Sequence, residues 1–109
     1  MKLPPHLSIT DHRLSIGGQD CTELASRYGT PLYVTDEDRI MNRFAAWKRA
    51  LSSRYPGSRV LYAAKANGNL CILRALAAAG AGADVFSAGE LRLCLDAGMP
   101  PGLLLFNGS

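Results

Sequence analysis

A single lysine stands where this chain could carry out covalent chemistry. In VLYAAKANGNL, residues 60–70, an apolar run ends abruptly in Lys65, and a small polar turn follows. A lysine that ends a strand commonly extends its ammonium group to water, and position alone favours that interpretation. In a pocket of low dielectric constant, however, the free amine is favoured and acts as a nucleophile that forms a Schiff base with a carbonyl compound. Lys65 is therefore the first candidate catalytic residue.

An aspartate in the next apolar segment is the second candidate. In GADVFS, residues 82–87, strand alternation places Asp84 and Phe86 on one face and Val85 on the other. A carboxylate on an inward face needs a partner, and Lys65 on the neighbouring strand would supply one as an ion pair. Hydrogen bonds from backbone donors to Asp84 are the structural alternative.

A glutamate follows this second segment at a spacing that has a structural meaning. Glu90 lies three residues after Ser87, and the pattern S-x-x-E is a capping box. Such a pair stabilises the start of a helix whether or not the site is catalytic. We therefore expect a structural role for Glu90, with direct catalysis the less favoured alternative.

Strands and helices alternate in the second half of the chain. The predicted units are, in order, the strand RVLYAAK, the helix NLCILRALAAAG, the strand GADVFS, the helix AGELRLCLDAG and the strand LLLFNGS. Short, near-equal units of this kind predict an α/β fold with parallel strands and right-handed crossovers. The predicted strand ends, Lys65, Ser87 and Ser109, are evenly spaced, which suits a (β/α)8 barrel with its working face at the carboxyl ends of the strands. An open doubly wound sheet has the same local signature and remains the alternative.

The first 35 residues predict a different construction. The pattern indicates a hairpin formed by HLSI and RLSIG, then a short helix over DCTELASRYG that ends at Gly29. A strand, PLYVTD, is predicted to begin after Pro31. These short extended pieces do not share the βα period of the second half.

A longer helix is predicted from Asp36. Its apolar stripe consists of Ile40, Phe44, Trp47 and Leu51. Thr35 can cap its start, and the acidic residues that follow Thr35 suit the positive end of the helix dipole. The helix is expected to end at YPGS, residues 55–58, because Pro56 lacks a backbone donor.

Composition and charge exclude several classes of function. The 109 residues are 48% hydrophobic and 19% charged, with a net charge of +3, as in an ordinary globular domain. Basic residues cluster between residues 39 and 59, but they lie opposite the apolar stripe of the predicted helix, so we expect a solvated face and no nucleic-acid partner.

Cys21, Cys71 and Cys94 form no CxxC pair. This argues against a disulfide framework and a metal site, and it favours reduced thiols in a cytoplasm. No apolar segment approaches the length of a membrane span.

The size of the chain conflicts with a closed barrel. Such a barrel takes roughly 250 residues, whereas this sequence supplies about three of the eight strands. The outer strands of a three-stranded piece have open apolar edges, which native domains avoid. We therefore expect the chain to be the N-terminal portion of something larger.

The lysine region resembles a known family of enzymes. In pyridoxal phosphate-dependent decarboxylases that act on basic amino acids and diaminopimelate, a strand ending in tyrosine, alanine, a small residue, lysine, alanine or cysteine, and asparagine carries the Schiff-base lysine. The matching residues here are Tyr62–Asn67, followed by Asp84, Ser87 and Glu90. Upstream, residues 14–40 resemble diaminopimelate decarboxylases more closely than ornithine or arginine decarboxylases. The resemblance covers nearly the whole chain, and the fold type also includes alanine racemase.

The resemblance implies a cofactor, a reaction and a domain organisation. Lys65 would form the Schiff base with pyridoxal 5′-phosphate as the catalytic residue, and Lys65 and Asp84 are the implied cofactor-binding residues. The implied reaction is decarboxylation of meso-diaminopimelate at its D-configured centre to give L-lysine, by a homodimer. Residues 1–35 would belong to a β domain, and residues 36–109 to an incomplete (β/α)8 barrel that binds the cofactor. Residues that hold the phosphate and the substrate are expected beyond Ser109, so the isolated chain is expected to be inactive.

Two other kinds of function remain open. Ornithine or arginine decarboxylase and alanine racemase share the fold type, although racemases usually continue the lysine motif with a tyrosine, glycine, histidine, glycine run, which KANGNL lacks. The alternative from a different class is a non-catalytic piece, either a gene remnant or a small cofactor-binding or interaction module that exposes its open strand edges to a partner.

Overall fold

In a computed structural model, which describes residues 3–108, an antiparallel sheet is followed along the chain by helices and a parallel sheet. The chain divides into two units, Met1–Ile40 and Met41–Ser109, and the division falls within a helix. The candidate residues Lys65, Asp84 and Glu90 all belong to the second unit.

The first unit contains the predicted hairpin. Strands β1 (Leu7–Thr10) and β2 (Arg13–Ile16) are antiparallel, and the short strand β3 (Gln19–Asp20) pairs with β2. Asp11 and His12 connect β1 to β2 with positive φ angles of 50° and 62°, the geometry of a tight hairpin turn. The hairpin prediction is therefore confirmed, and β3 is an addition that the sequence pattern did not indicate.

The predicted short helix forms directly after β3. Helix α1 spans Cys21–Tyr28, and the Asp20 carboxylate caps it by accepting hydrogen bonds from the backbone N–H groups of Thr22 and Glu23 at 2.7 and 3.0 Å. The helix ends at Gly29, whose φ angle of 82° suits a residue without a Cβ.

The strand predicted for PLYVTD is wrong. Residues 32–36 have no regular secondary structure, and the side chain of Tyr33 is fully exposed. An extended segment becomes a strand only when another strand satisfies its backbone groups. Among residues 3–108, strands pair only within the antiparallel sheet of the first unit and within a parallel sheet of the second unit, so this apolar segment has no neighbouring strand to pair with.

The long helix forms with a different cap and a narrower buried face than predicted. Helix α2 spans Glu37–Ser52, and the Asp36 carboxylate, not Thr35, accepts the backbone N–H of Arg39 at 2.9 Å. An aspartate at this position provides both an acceptor and a negative charge at the helix N-terminus. Within the predicted stripe, Phe44 is buried but Trp47 is 58% exposed, so Trp47 does not belong to the core.

The second unit has the predicted βαβαβ order. Parallel strands β4 (Leu61–Ala63), β5 (Gly82–Val85) and β6 (Leu104–Phe106) lie in that order in one sheet. Helix α3 (Leu70–Ala78) connects β4 to β5, and helix α4 (Ala88–Asp96) connects β5 to β6. Helix α4 packs against α3, β5 and β6. The most fully buried side chains of this layer are Leu73, Leu76, Ala83, Val85, Cys94 and Met99.

A glycine allows the three strands to approach one another closely. A Cβ atom at Gly82 would collide with the backbone oxygen of Leu103 and would lie 2.5 Å from the Leu61 side chain. Both neighbours belong to the adjoining segments of the same sheet. Gly82 is therefore required by the packing of the sheet, since φ at this residue is not positive.

The strands end earlier than the sequence predicts. Strand β4 ends at Ala63, and Lys65 lies in a 3-10 turn, Ala64–Ala66, rather than at the end of the strand. The ladder supplies the reason, because Ala63 and Asp84 form the last β4–β5 pair and the backbone beyond them has no ladder partner. Strand β5 likewise ends at Val85, before Ser87. The remaining predicted strand end, Ser109, lies outside the described residues.

Candidate functional site

The candidate site is built at the carboxyl ends of the parallel strands. Lys65 is exposed in the turn after β4, and its Nζ atom lies 4.3 Å from the centroid of the Phe86 ring, which follows β5. At this distance the ammonium group interacts with the face of the ring. The structure therefore brings the lysine of one βα unit to an aromatic residue of the next.

The predicted ion pair between Lys65 and Asp84 does not form within residues 3–108. Asp84 lies beside Ala63 in the strand register, whereas Lys65 has already left the strand and points its amine at Phe86. The Oδ1 atom of Asp84 is buried, and it has no hydrogen-bond partner among the described residues. The backbone hydrogen bonds considered as an alternative for Asp84 are therefore not made by this oxygen either.

A buried carboxylate oxygen without a partner is an unusual feature. Leaving such a group unpaired costs about 1–3 kcal/mol or more when it is charged, and unpaired groups in native structures call for an explanation. The partner across the ladder, Ala63, is half-buried and has no polar side-chain group that could bond to this oxygen. Asp84 is thus available as an acceptor for a group that binds there.

Glu90 has the structural role that the capping pattern predicts. The Ser87 hydroxyl accepts the Glu90 backbone N–H at 3.2 Å, and the Glu90 carboxylate accepts the Phe86 backbone N–H at 2.9 Å. In the usual capping box the glutamate accepts the N–H of the cap residue itself; here it reaches one residue further back. Glu90 therefore fixes the backbone of Phe86, the residue that contacts Lys65.

Two residues that flank the lysine were not recognised as functional from the sequence. The Tyr62 hydroxyl of β4 donates a hydrogen bond to the Asn67 backbone oxygen at 3.1 Å, across the turn that carries Lys65. Burial raises the pKa of the Tyr62 phenol above its usual value, so the group remains a protonated donor at neutral pH. Both residues lie within the lysine motif itself, but a spacing pattern does not reveal a hydrogen bond to a backbone atom.

Helix α4 also carries a buried thiol close to Glu90 and Tyr62. Cys94 is fully buried, and burial raises the pKa of its thiol, an effect that the nearby Glu90 carboxylate increases. The thiol is therefore neutral and unreactive at physiological pH. Within the described part of the chain, no three side chains of the metal-binding types come together. The helices found among residues 3–108 include none that is long and apolar enough to cross a membrane.

Comparison with known proteins defines the class of the molecule. Residues 37–109 match the pyridoxal binding domain of the pyridoxal-dependent decarboxylases. The chain therefore belongs to this family of decarboxylases. The family assignment confirms the predicted pyridoxal cofactor and the α/β fold of the N-terminal part of such an enzyme.

Individual relatives show which kinds of decarboxylase are more similar to this chain. A diaminopimelate decarboxylase from Methanothermobacter thermautotrophicus is 44% identical over 106 residues, which cover 96% of this chain and 25% of the relative. The crystal structure of diaminopimelate decarboxylase from M. jannaschii with L-lysine has a TM-score of 0.86 at 40% identity, covering 96% of this chain and 25% of that one. Lysine decarboxylase from Selenomonas ruminantium is less similar, with a TM-score of 0.64 and 30% identity over 78% of this chain and 22% of that one. The chain thus spans about a quarter of the length of the curated relatives it matches.

Proposed function

We propose that this chain supplies the lysine-bearing part of a diaminopimelate decarboxylase, which converts meso-diaminopimelate to L-lysine. The observation that carries the proposal is the exposed Lys65 amine at the carboxyl edge of the parallel sheet, 4.3 Å from the Phe86 ring, in a chain 44% identical to an enzyme of that name. Identity to the lysine decarboxylase is only 30%, which favours diaminopimelate over other basic amino acids. An alanine racemase is disfavoured by the KANGNL segment after the strand.

The residues present fit pyridoxal 5′-phosphate. Lys65 would hold the cofactor covalently through Nζ, and Asp84 would offer it the buried oxygen that has no partner among residues 3–108. Ala63, beside Asp84 in the strand register, offers this oxygen no competing polar side chain. When bound, the cofactor accepts the electron pair left by the departing carboxylate.

The residues of this chain contribute in two ways. They position the Lys65 amine, and Lys65 itself gives up a proton at Nζ. Lys65 must lose a proton at Nζ before it can attack a carbonyl carbon. The aromatic ring of Phe86 restricts where this amine lies, and the Glu90 carboxylate holds Phe86 in place through its backbone N–H. These contacts reduce the orientations that the amine must search before reaction.

Further properties of the complete enzyme are proposed on the same basis. Residues that hold the phosphate and the substrate would lie outside this chain, together with the rest of the barrel and the β domain that residues 1–35 would join. A cytoplasmic homodimer with an amino-acid substrate fits the family and the three unpaired cysteines. The isolated 109-residue chain is expected to show no decarboxylation of meso-diaminopimelate, and measurable release of carbon dioxide would refute this.

The cofactor-binding step can be tested on the chain itself. The chain is incubated with pyridoxal 5′-phosphate, reduced with borohydride and digested, and the pyridoxyl group is located by peptide mass spectrometry. Lys65 should be modified in preference to Lys48, an exposed lysine that serves as an internal control. The variant Lys65→Ala should lose the preferential label, whereas Lys48→Ala should keep it. Equal labelling of Lys48 and Lys65 in the unaltered chain would contradict the proposal.

A further inference from the structure

The turn that carries Lys65 is closed by a side chain from the strand before it. The Tyr62 hydroxyl donates to the Asn67 backbone oxygen at 3.1 Å. These two residues lie on either side of the 3-10 turn Ala64–Ala66, so the hydrogen bond joins the start and the end of the loop. The lysine lies at the middle of the loop that this bond closes.

A second hydrogen bond continues from the turn into the next helix. The Asn67 side-chain oxygen accepts the Asn69 backbone N–H at 3.0 Å. The Asn69 side chain in turn accepts the Cys71 backbone N–H at 2.9 Å and caps helix α3. A continuous series of hydrogen bonds therefore links strand β4, the lysine turn and the N-terminus of α3.

The surroundings of Tyr62 favour its hydrogen bond to the Asn67 backbone oxygen. Its side chain is half-buried, which limits the rotamers available to it. Burial also raises the pKa of its phenol, so the donor proton is retained well above neutral pH. The acceptor, Asn67, is exposed, so water can hydrogen-bond to this carbonyl when the hydroxyl is removed.

We propose that Tyr62 and Asn67 form a brace that positions Lys65 for attack on the cofactor carbonyl. The inference rests on the proposed function of Lys65 and deepens it. Neither residue touches the reacting atoms; both act through the lysine by restricting the backbone that carries it. Restricting a nucleophile to reactive orientations raises its rate of attack without a new contact to the substrate.

The test compares two tyrosine variants of this chain. Tyr62→Phe removes the donor and keeps the ring, while Tyr55→Phe removes the same hydroxyl from a tyrosine that is 69% exposed. Each protein is exposed briefly to pyridoxal 5′-phosphate and reduced with borohydride, and the ratio of label at Lys65 to label at Lys48 is measured. The ratio should fall about fivefold in Tyr62→Phe, the effect of one net hydrogen bond, and should not change in Tyr55→Phe. An unfolded fraction labels Lys48 and Lys65 alike and would also lower the ratio, so the urea midpoint of each variant is measured and the comparison is made under conditions where each protein is fully folded.

A second variant covers the case in which Tyr62→Phe does not fold, as judged by circular dichroism. Asn67→Ala removes the side-chain bond to Asn69 and leaves Tyr62 intact, and it should lower the same ratio. If the unaltered chain prefers Lys65 but the ratio is unchanged in the folded variants, the brace is refuted and the role of Lys65 stands. If the unaltered chain shows no preference for Lys65, both the proposed function and the brace fail.

Discussion

The Nζ atom of Lys65 lies 4.3 Å from the centre of the Phe86 ring, so two consecutive βα units meet at one amine. The contact is held from both sides, because Glu90 fixes the Phe86 backbone and the Tyr62 hydroxyl closes the lysine turn. The arrangement confines a flexible side chain that would otherwise extend into water.

Replacing the aromatic ring should release the lysine side chain. In Phe86→Leu we expect the signals of the Lys65 ε-methylene protons to move downfield, toward random-coil positions, because the shielding from the ring is lost. The loss of stability should be about 0.5–1 kcal/mol, as for an exposed cation–π contact. The measurement is a proton NMR spectrum of each protein together with a denaturant titration.

A matched control exists for this substitution in the same unit. Lys48 Nζ lies 5.8 Å from the Phe44 ring, so Phe44→Leu should move the Lys48 signals and leave those of Lys65 in place. Lys65 signals that stay unchanged in Phe86→Leu would show that the contact is not populated in solution.

The close approach of the three parallel strands should make Gly82 sensitive to a single added methyl group. Gly82→Ala places a Cβ against the Leu103 backbone oxygen and the Leu61 side chain, and overpacking of this kind costs about 1–3 kcal/mol. Gly102→Ala is the control, because no described atom lies within 4 Å of a Cβ at that position. Unfolding in urea should show a lower midpoint for Gly82→Ala only. Equal midpoints for the two variants would mean that the strands can move apart at no cost.

The cysteines should differ sharply in reactivity. Cys71 is exposed and Cys94 is fully buried, and burial together with Glu90 raises the pKa of the Cys94 thiol. At neutral pH iodoacetamide should alkylate Cys71 readily and Cys94 only after unfolding. Alkylation of both at the same rate under native conditions would contradict the buried position of Cys94.

The raised pKa of the Cys94 thiol also makes the free energy of unfolding depend on pH, with a definite sign. Because folding raises the pKa of the Cys94 thiol above the ordinary value of 9.0, the unfolded chain releases this proton first. The contribution to stability is therefore fully present below about pH 9 and is lost as the pH rises through the folded-state pKa. The free energy of unfolding, measured between pH 7 and pH 10, should fall over the upper part of that range.

Much of the second unit was predictable because its signals are local. The apolar periodicity of helices α3 and α4 and the Ser87–Glu90 spacing depend on residues close in sequence, and all three features form. The PLYVTD strand failed because a strand requires a partner, and a sequence segment does not show whether a partner is present. The exposure of Trp47 was missed for a similar reason. An apolar stripe on a helix does not show how much of the stripe is covered by neighbouring elements.

The candidate site was predictable in its residue types but not in its contacts. Lys65 and Asp84 lie at the same edge of the sheet, as expected for the carboxyl ends of parallel strands. Their pairing failed because β4 ends two residues before Lys65 and the turn directs the amine to Phe86. A strand that ends two residues early changes which side chains meet, and apolar periodicity does not define strand ends that closely.

The central claim, that Lys65 is the cofactor lysine of a diaminopimelate decarboxylase, is tested most directly by activity in a chimera. This chain replaces the quarter that it matches in the M. jannaschii enzyme, and carbon dioxide release from meso-diaminopimelate is measured. We predict that the chimera is active, that Lys48→Ala within it remains active, and that Lys65→Ala falls to background. A Lys65→Ala chimera as active as its Lys48→Ala counterpart would contradict the account.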